Sequence, residues 1–471
     1  MAGTVGCLLG WLVVAVLGPS AAAPALGPGP VPFDLGRHPS SATVSVLMAL
    51  SVLAGGVGLG GGALAVARGW RPRRFLVLAG AGALLLVLVP PVGSADHLSY
   101  AAYGRIAALG GDPYGQPPDA FAAGTDPVVS AVRDPWRSTT SVYGPVGGLL
   151  MALCSVLGQD SVRATVWVWQ VLLLAGWALA ALVGHRVLGG GGDGSGDGSA
   201  RRAWFAVLFT ANPLLLTVGL GGAHADVLAG AAAVLALLLA PRAPVAAGLA
   251  LAVAAGTKAP YGVVAVGIVV AAVAAGRLSA GWLLRGVLAA LLVLVPAHLW
   301  AGAHVYDQTR TASRYVSLAT VWRPLVEAGL PRGLLLPGTA LVVALVTVLW
   351  WPALVRGGRL ERSAGVSAVL ATGYLLGAAY ELPWYDLLLW GPLALAVAAG
   401  APAARLLVAV LAARLTLLAL AYVPGLVDGM SPLVQAVTLG YRREVGPWVA
   451  WAALVVVVTV GVRARRSVAR T

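Results

Sequence analysis

Long apolar runs recur from one end of the chain to the other and restrict the folds that it can adopt. Hydrophobic residues make up 59% of the 471 residues, and charged residues only 10%, whereas soluble proteins average about 25% charged. The runs are long enough to cross a bilayer as helices, and alternating strands of about ten residues are absent. The sequence therefore predicts an all-α, polytopic transmembrane helical bundle.

The formal net charge of +14 does not indicate a nucleic-acid-binding protein. The basic residues lie in short loops between apolar runs, as the positive-inside rule expects of a membrane protein. Lys258 is the only lysine, and Cys7 and Cys154 are the only cysteines. Both cysteines lie in or beside apolar runs, so neither a disulfide framework nor a thiol–metal site is expected.

The first three apolar runs fix the predicted orientation of the chain. Residues 5–18 are predicted to be a first span, with a cleaved signal peptide over residues 1–23 as the alternative. A second span covers about 43–67 and ends at four arginines within residues 68–74, a cytoplasmic marker. The third span, about 75–92, then returns the chain to the opposite side, so Ser94 onward is predicted to be extracytoplasmic.

A polar island follows over residues 94–145, and it holds five of the chain's 17 acidic residues: Asp96, Asp112, Asp119, Asp126 and Asp134. Carboxylates inside hydrocarbon cost a few kcal/mol each, so the island must lie in water or at the interface. We predict four parts in the chain. They are N-terminal spans (1–92), an extracytoplasmic catalytic loop (93–144), a transmembrane bundle (145–463) and a basic cytoplasmic tail (464–471).

The bundle contains a Gly/Ser-rich stretch at 189–199 that is predicted to be a flexible linker. Further outer loops are predicted at 302–333 and 423–446. The number of predicted crossings agrees with a cytoplasmic C-terminus only if one segment between 143 and 220 does not cross the membrane. The candidates are 145–158 and a 203–220 run broken at Asn212-Pro213. In total about 13–15 spans are expected, the later ones near 145–158, 164–184, 203–220, 226–240, 243–256, 260–276, 286–301, 334–354, 364–380, 386–399, 403–422 and 447–463.

Asp96 opens the polar island directly after a span, at the membrane–water boundary. A carboxylate there can deprotonate a hydroxyl group while a lipid-linked substrate lies in the outer leaflet; the alternative is an ordinary helix-ending aspartate. Forked arginine side chains nearby are suited to phosphate, or to contact with lipid headgroups. The candidate substrate-binding residues of the island are His97, Tyr100, Arg105, Asp112, Tyr114, Arg137 and Tyr143.

Two further polar stretches interrupt the apolar runs. In NPLLLTVGLGGAHADVL, His224 and Asp226 sit at membrane depth, where such groups are energetically costly unless they have a function, so both are candidate substrate-binding residues, with donor binding the expected role of His224. The alternative is an interfacial turn with Asp226 as a helix cap. In GTKAP, Lys258 lies between two spans and is a candidate phosphate ligand, or an ordinary charge that reaches the interface.

The fourth stretch, YELPWYDLLLW, places Trp384 and Tyr385 between two late spans. These rings can form a platform for a sugar, or belong to the aromatic belt at the membrane surface. Weaker candidates on the outer loop are His298, His304, Arg310 and Arg314.

The motifs that the sequence lacks also restrict the function. There is no nucleotide-binding motif, and no group of ligands with the spacing of a metal site, so neither a cofactor nor a metal is expected. A sugar donor would therefore be lipid-linked. A transporter or flippase of a lipid-linked saccharide is the alternative function, and it predicts buried mid-span charges, which are few, and an internal repeat, which is not visible.

Several segments together, in order from Asp96 to Trp390, resemble the actinobacterial polyprenol-phosphomannose-dependent α-1,6-mannosyltransferases. They are DHLSYAAYGRIAALGGDPY, DPWRSTTSVYGP, NPLLL with GGAHAD, TKAP and PWYDLLLW. In the NPLLL and GGAHAD segment, the family pattern resembles GGxHND, and Ala225 stands here in place of the asparagine.

The resemblance implies a GT-C fold and transfer of mannose from polyprenyl-phosphate-mannose to a glycan or glycolipid acceptor. It implies that Asp96 is the catalytic carboxylate at the start of the first large outer loop. A phosphate leaving group needs no general acid, so a single base suffices, and inversion at the anomeric carbon gives an α-linkage.

Overall fold

The computed structural model describes residues 1–189, 197–276, 279–400, 402–425 and 429–468. Over these ranges the chain is helical, and its only extended pairing is an isolated bridge between Ser20 and Ala23. The prediction of an all-α protein is confirmed.

The described residues form nineteen α-helices joined by short loops. They are α1 Ala2–Leu17, α2 Ser41–Ala67, α3 Arg73–Val87, α4 Asp96–Ala108, α5 Pro145–Gly158, α6 Val162–Val187, α7 Asp197–Phe205, α8 Asp226–Leu239, α9 Pro244–Thr257, α10 Val263–Ala274, α11 Ala280–Ala301, α12 Asp307–Ala312, α13 Trp322–Glu327, α14 Leu335–Leu354, α15 Arg359–Gly377, α16 Leu387–Ala396, α17 Ala403–Leu420, α18 Pro432–Gly440 and α19 Gly446–Val468.

Short segments of other helical types link them. The 3₁₀-helices are Pro118–Gly124, Val129–Ala131, Ala259–Gly262, Arg332–Leu334 and Pro383–Asp386, and π-helical turns cover Ala206–Thr210, Leu215–Leu220 and Tyr441–Val445.

In the described part of the chain, six helical segments are long and apolar enough to cross a membrane: Ser41–Ala67, Val162–Val187, Ala280–Ala301, Arg332–Leu354, Ala403–Leu420 and Pro432–Ser467. Shorter apolar helices of 10–17 residues accompany them, among them Pro145–Gly158 and Pro244–Thr257. The chain is therefore a multi-pass membrane protein. The number of about 13–15 crossings stays a prediction.

The apolar run at 203–220 is not one continuous α-helix. It contains the two π-helical turns, and between them the Asn212 side-chain oxygen accepts the backbone N–H of Leu214 at 3.1 Å. Pro213 cannot donate a backbone hydrogen bond, so a break at this position follows from its chemistry. This is the position at which the sequence predicted half-helices.

Two predicted boundaries differ from the structure or lie outside it. Most of the predicted linker at 189–199 lies outside the described residues, and its end, from Asp197, belongs to α7. The predicted tail from residue 464 continues α19 as far as Val468, because nothing in RARRSV stops a helix; the residues beyond lie outside the described range.

The polar island is a folded layer that begins with α4. This helix crosses α5 at very short range, since a Cβ atom at Gly104 would lie 2.2 Å from the carbonyl oxygen of Met151. Arg105 then ties the island together: its guanidinium donates to Asp126 at 2.9 Å and also pairs with Asp160 after α5. These contacts hold α4, which begins at Asp96, against the bundle.

Candidate active site

A cavity of about 230 Å³ lies between the polar island and the ends of several bundle helices. Asp96 and Lys258 supply its charged groups, and nine of the other nineteen lining residues are aromatic. Seven of the chain's 12 tyrosines line it: Tyr103, Tyr143, Tyr306, Tyr315, Tyr374, Tyr380 and Tyr385. Aromatic faces with hydroxyl tips suit a ligand that has both apolar C–H faces and hydroxyl groups.

Asp96 is the first residue of α4, and its side chain is 19% exposed on the cavity wall. Its backbone N–H donates to the Ser94 hydroxyl at 3.0 Å, and its Oδ2 lies 3.4 Å from Nδ1 of His224. Burial acts to raise the pKa of Asp96. The hydrogen bond and charge of His224, the Ser94 contact and the charge of Lys258 outweigh burial, so this pKa lies below its ordinary value. Asp96 is therefore an ionised acceptor at neutral pH.

His224 belongs to a tight turn that precedes α8. Ala223 adopts a left-handed conformation (φ 54°), and its carbonyl oxygen accepts the indole N–H of Trp169 at 2.9 Å. The His224 ring stacks on the ring of Trp384, with centroids 3.6 Å apart and planes within 12°. His224 is 1% exposed and lies behind the cavity wall.

Lys258 follows the last residue of α9 and faces the cavity beside Asp96. Its ammonium group contacts both carboxylate oxygens of Asp226, at 2.8 and 2.9 Å, and lies 3.5 Å from the ring centroid of Tyr385. The Tyr261 hydroxyl donates to the same carboxylate at 3.1 Å. Asp226, the first residue of α8, is buried, and Lys258 lies between it and the cavity.

The turn that carries Trp384 and Tyr385 is anchored from behind by Arg414 of α17. The Arg414 guanidinium donates to Asp386 at 2.7 Å and also pairs with Glu381. Glu381 and Asp386 flank the turn on either side, and both are buried. The two carboxylates of YELPWYD therefore hold the turn in place, while its Trp and Tyr rings line the cavity.

The structure brings most of the bundle candidates together. Asp96, Tyr143, Lys258, Trp384 and Tyr385 line the cavity. Directly behind them lie Tyr100, His224 and Asp226; the ring of Tyr100 meets that of Tyr143 edge to face, with centroids 4.9 Å apart.

Two residues of α4 predicted to bind substrate lie away from the cavity. His97 is 1% exposed and faces Met151 and Trp169 of the neighbouring helices. Burial and repulsion from His224 lower the pKa of His97 to about 3 despite Asp96, so this ring is neutral. Arg105 is occupied by Asp126 and Asp160, which is why its guanidinium cannot serve the cavity as a phosphate ligand.

Three further island candidates also lie outside the cavity wall. The Asp112 carboxylate accepts the backbone N–H of Tyr114 at 2.8 Å, which closes a turn. Tyr114 is buried against Trp300 of α11. Arg137 is exposed, and its carbonyl oxygen accepts the backbone N–H of Asp119 at 3.0 Å.

Part of the cavity wall comes from residues that the sequence did not indicate. Tyr306, Thr309, Ser313 and Tyr315 belong to the outer loop around α12, where the sequence drew attention to histidines and arginines instead. Tyr374 comes from α15. The concentration of tyrosines at the ends of apolar runs was the available signal, but belt residues give the same signal.

Comparison with known proteins places the chain beside mannosyltransferases. Residues 1–275 match the family model described as α-(1→6)-mannopyranosyltransferase, N-terminal domain. The α-(1→6)-mannopyranosyltransferase A of Corynebacterium glutamicum is 29% identical over 179 residues, which cover 37% of this chain and 34% of that protein. The enzyme of the same name from Mycobacterium tuberculosis is 30% identical over 148 residues, 30% of this chain and 26% of that protein. The matches thus span about a third or less of these relatives.

Superposition on the crystal structure of ArnT from Cupriavidus metallidurans bound to undecaprenyl phosphate gives 17% identity and a TM-score of 0.42. That alignment covers 84% of this chain and 77% of the ArnT chain.

Proposed function

Because the chain belongs to the α-(1→6)-mannopyranosyltransferase family, we propose that it transfers mannose from polyprenyl-phosphate-mannose to a glycan or glycolipid acceptor. The fold is then of GT-C type, and the product an α-1,6 linkage. The observation that carries the proposal is an ionised carboxylate, Asp96, on the wall of an aromatic cavity beside the chain's only lysine.

Asp96 is the general base of the proposed reaction. It accepts the proton of the acceptor hydroxyl as that oxygen attacks the anomeric carbon of mannose. The new C–O bond forms on one face while the bond from the anomeric carbon to the phosphate oxygen breaks on the other. The bonding electron pair leaves with the phosphate, and the configuration inverts.

Lys258 is the proposed cation that stabilises the departing phosphate. An ammonium group has three N–H donors, and Asp226 takes two of them. The third remains for a phosphate oxygen, and the Lys258 side chain is 17% exposed towards the cavity. Asp226 holds the ammonium group in place and partly neutralises its positive charge. The weakened charge binds the phosphate product less tightly, which suits a group that must release it.

Tyr143, Trp384 and Tyr385 form the proposed sugar-binding wall. Their rings line the cavity, and the Lys258 ammonium group lies over the Tyr385 face. Stacking of sugar C–H groups on such faces would orient the mannosyl group between base and cation.

The experiment uses purified full-length protein in detergent, with labelled polyprenyl-phosphate-mannose and a short mannoside acceptor. We expect labelled, elongated mannoside, and no product from GDP-mannose alone. Asp96→Asn keeps the size of the side chain but not its basicity, so it should lower the initial rate by about 10²-fold or more. Asp119→Asn is the matched control, because Asp119 is exposed and is not part of the cavity wall.

Each contrary result has a distinct meaning. Turnover with GDP-mannose alone would refute the lipid-linked donor. Near-normal transfer by Asp96→Asn would refute the assignment of the base. Movement of the lipid-linked sugar across vesicles without any elongated product would favour a flippase.

A further inference from the structure

His224 lies next to the base but cannot reach a substrate. It is 1% exposed, and the cavity wall in front of it is made by Asp96 and by Trp384, on which its ring stacks. A direct role in donor binding, which its position in the sequence suggested, therefore does not fit the structure. Of the side chains that contact the His224 ring, these two line the cavity, whereas Tyr100, whose hydroxyl lies 3.5 Å from Nδ1, does not. A contribution of His224 to the reaction is therefore expected to pass through Asp96 or Trp384.

The backbone around His224 fixes the direction of its ring. Its N–H donates to the carbonyl oxygen of Gly219 at 3.1 Å, and its own carbonyl oxygen accepts the N–H of Val227 at 3.0 Å. Gly222 leaves room for the ring, because a Cβ atom there would lie 2.9 Å from Nε2 of His224. With the main chain and one ring face held, Nδ1 lies 3.4 Å from Oδ2 of Asp96 and 3.5 Å from the buried hydroxyl of Tyr100.

We propose that His224 is a positioning residue for Asp96, and this inference rests on the proposed function. The ring carries a proton on Nδ1 and donates it to Oδ2 of Asp96. That hydrogen bond fixes one carboxylate oxygen, so the other is presented to the acceptor hydroxyl in a constant orientation. A base oriented by a third group is the arrangement that nucleophile-activating sites commonly use.

The stack on Trp384 offers a second route by which His224 can act, so the test must separate the two. Asparagine carries its amide close to the position of Nδ1 and can keep the contact with Asp96, whereas glutamine carries it close to Nε2 and cannot. Phenylalanine keeps a flat ring against Trp384 and removes the hydrogen bond. Together, the three variants therefore separate loss of the hydrogen bond to Asp96 from loss of the stack on Trp384.

Initial rates are measured over ranges of donor and acceptor concentration, with the folded state checked by size exclusion and thermal melting. We expect His224→Gln and His224→Phe to lower kcat by up to about 10²-fold, the scale of a misplaced catalytic group, with an unchanged KM for the donor. His224→Asn should retain most of kcat. His38→Asn is the control for the substitution itself, since His38 is exposed and is not part of the cavity wall.

A double variant gives the sharpest readout. If His224 acts only through Asp96, then Asp96→Asn/His224→Gln should be no slower than Asp96→Asn alone, because the two residues work as a unit. A residue that merely stabilises the fold would slow the Asp96→Asn background further. If His224→Phe does not fold, His224→Gln carries the same test.

The outcomes also separate this inference from the proposed function. Absence of transfer by the wild type, or an active Asp96→Asn, would overturn the proposed function itself. With transfer established and Asp96→Asn inactive, an unchanged kcat and a raised donor KM in His224→Gln would overturn the positioning role and restore donor binding. A loss of kcat in His224→Asn equal to that in His224→Gln would also overturn it.

Discussion

Asp96 and His97 are neighbours in the chain, yet their surroundings are opposite. Successive side chains on a helix point about 100° apart, so the start of α4 directs Asp96 to the cavity and His97 into the packing between helices. The first residue is charged and has polar partners. The second has no hydrogen-bond partner on either ring nitrogen among the described residues. The two residues therefore respond to pH in different ways.

We predict that His97 makes the protein sensitive to acid. Its folded-state pKa of about 3 lies below the ordinary value of 6.5, so the unfolded chain binds a proton first as pH falls. The stability associated with a neutral His97 is present above about pH 6.5 and is lost at up to about 1.4 kcal/mol per pH unit below it. His97→Phe removes this titration, and melting curves in detergent between pH 7 and pH 4.5 should become flatter.

The control for this prediction is His38→Phe, which replaces an exposed histidine and should leave the wild-type slope unchanged. The comparison concerns slopes rather than absolute melting temperatures, because a larger ring at position 97 can also alter packing. A slope in His97→Phe as steep as in the wild type would contradict the assignment of His97 as a buried neutral group.

The sequence selected charged residues as candidate site residues, but it could not assign their partners. Arg105 was interpreted as a phosphate ligand, and the structure pairs it with Asp126 and Asp160, 21 and 55 residues away. Lys258 and Asp226 were both selected, yet their contact spans 32 residues and depends on how α8 and α9 pack. Pairings of this kind depend on tertiary packing, which composition and spacing do not specify.

At the scale of the elements, the main finding is that α17 determines the place of the Trp384 turn. Arg414 is 4% exposed, and it pairs with Glu381 and Asp386, which are 6% and 0% exposed. The indole N–H of Trp390 also donates to Asp386, at 3.2 Å. Removing one member of a buried ion group leaves an uncompensated charge, which costs much more than the group contributes as a whole.

We predict that Arg414→Met destabilises the protein by about 3–5 kcal/mol, the usual range when one partner of a buried ion pair is removed. The triple variant Arg414→Met/Glu381→Gln/Asp386→Asn should recover most of that loss, because it leaves no buried unpaired charge. Denaturant or thermal unfolding in one detergent measures both. Arg405→Met provides the control, since Arg405 is an exposed arginine of the same helix.

Equal destabilisation in the single and triple variants would show that packing of the Arg414 stem, and not charge compensation, holds the turn. A stable Arg414→Met would show that the carboxylates find other partners.

Element boundaries were predictable where one residue forces them, and not otherwise. Asn212-Pro213 indicated a break in 203–220, and the structure has π-helical turns on both sides of it. The contribution of α12 to the cavity was not predictable, because a six-residue helix without buried residues leaves no hydrophobic periodicity to detect. Arg414 was missed for a related reason, since a lone arginine in an apolar run gives no hint of which carboxylates it meets.

At the scale of the whole molecule, the cavity joins the polar island to the 302–333 loop, two segments that the sequence assigned to one side of the membrane. Its wall combines Asp96 and Trp136 of the island with Tyr306 of the 302–333 loop and Tyr380 between two late helices. These segments are far apart in sequence, and a bundle can bring them together only if the helices between them return to the same side. This agreement fits the prediction that the island and the 302–333 loop share one side of the membrane; that this side is extracytoplasmic, with the arginines at 68–74 in the cytoplasm, stays a prediction.

The orientation can be tested with single cysteines. The native thiols Cys7 and Cys154 are both buried, so a membrane-impermeant maleimide should give little background. Asp119→Cys and Arg71→Cys place thiols at exposed positions on opposite predicted sides. We expect Asp119→Cys to react in intact cells, and Arg71→Cys only after the membrane is opened. The reverse pattern would place Asp96 in the cytoplasm, where a donor presented in the outer leaflet could not reach it, and the proposed reaction would fail with the topology.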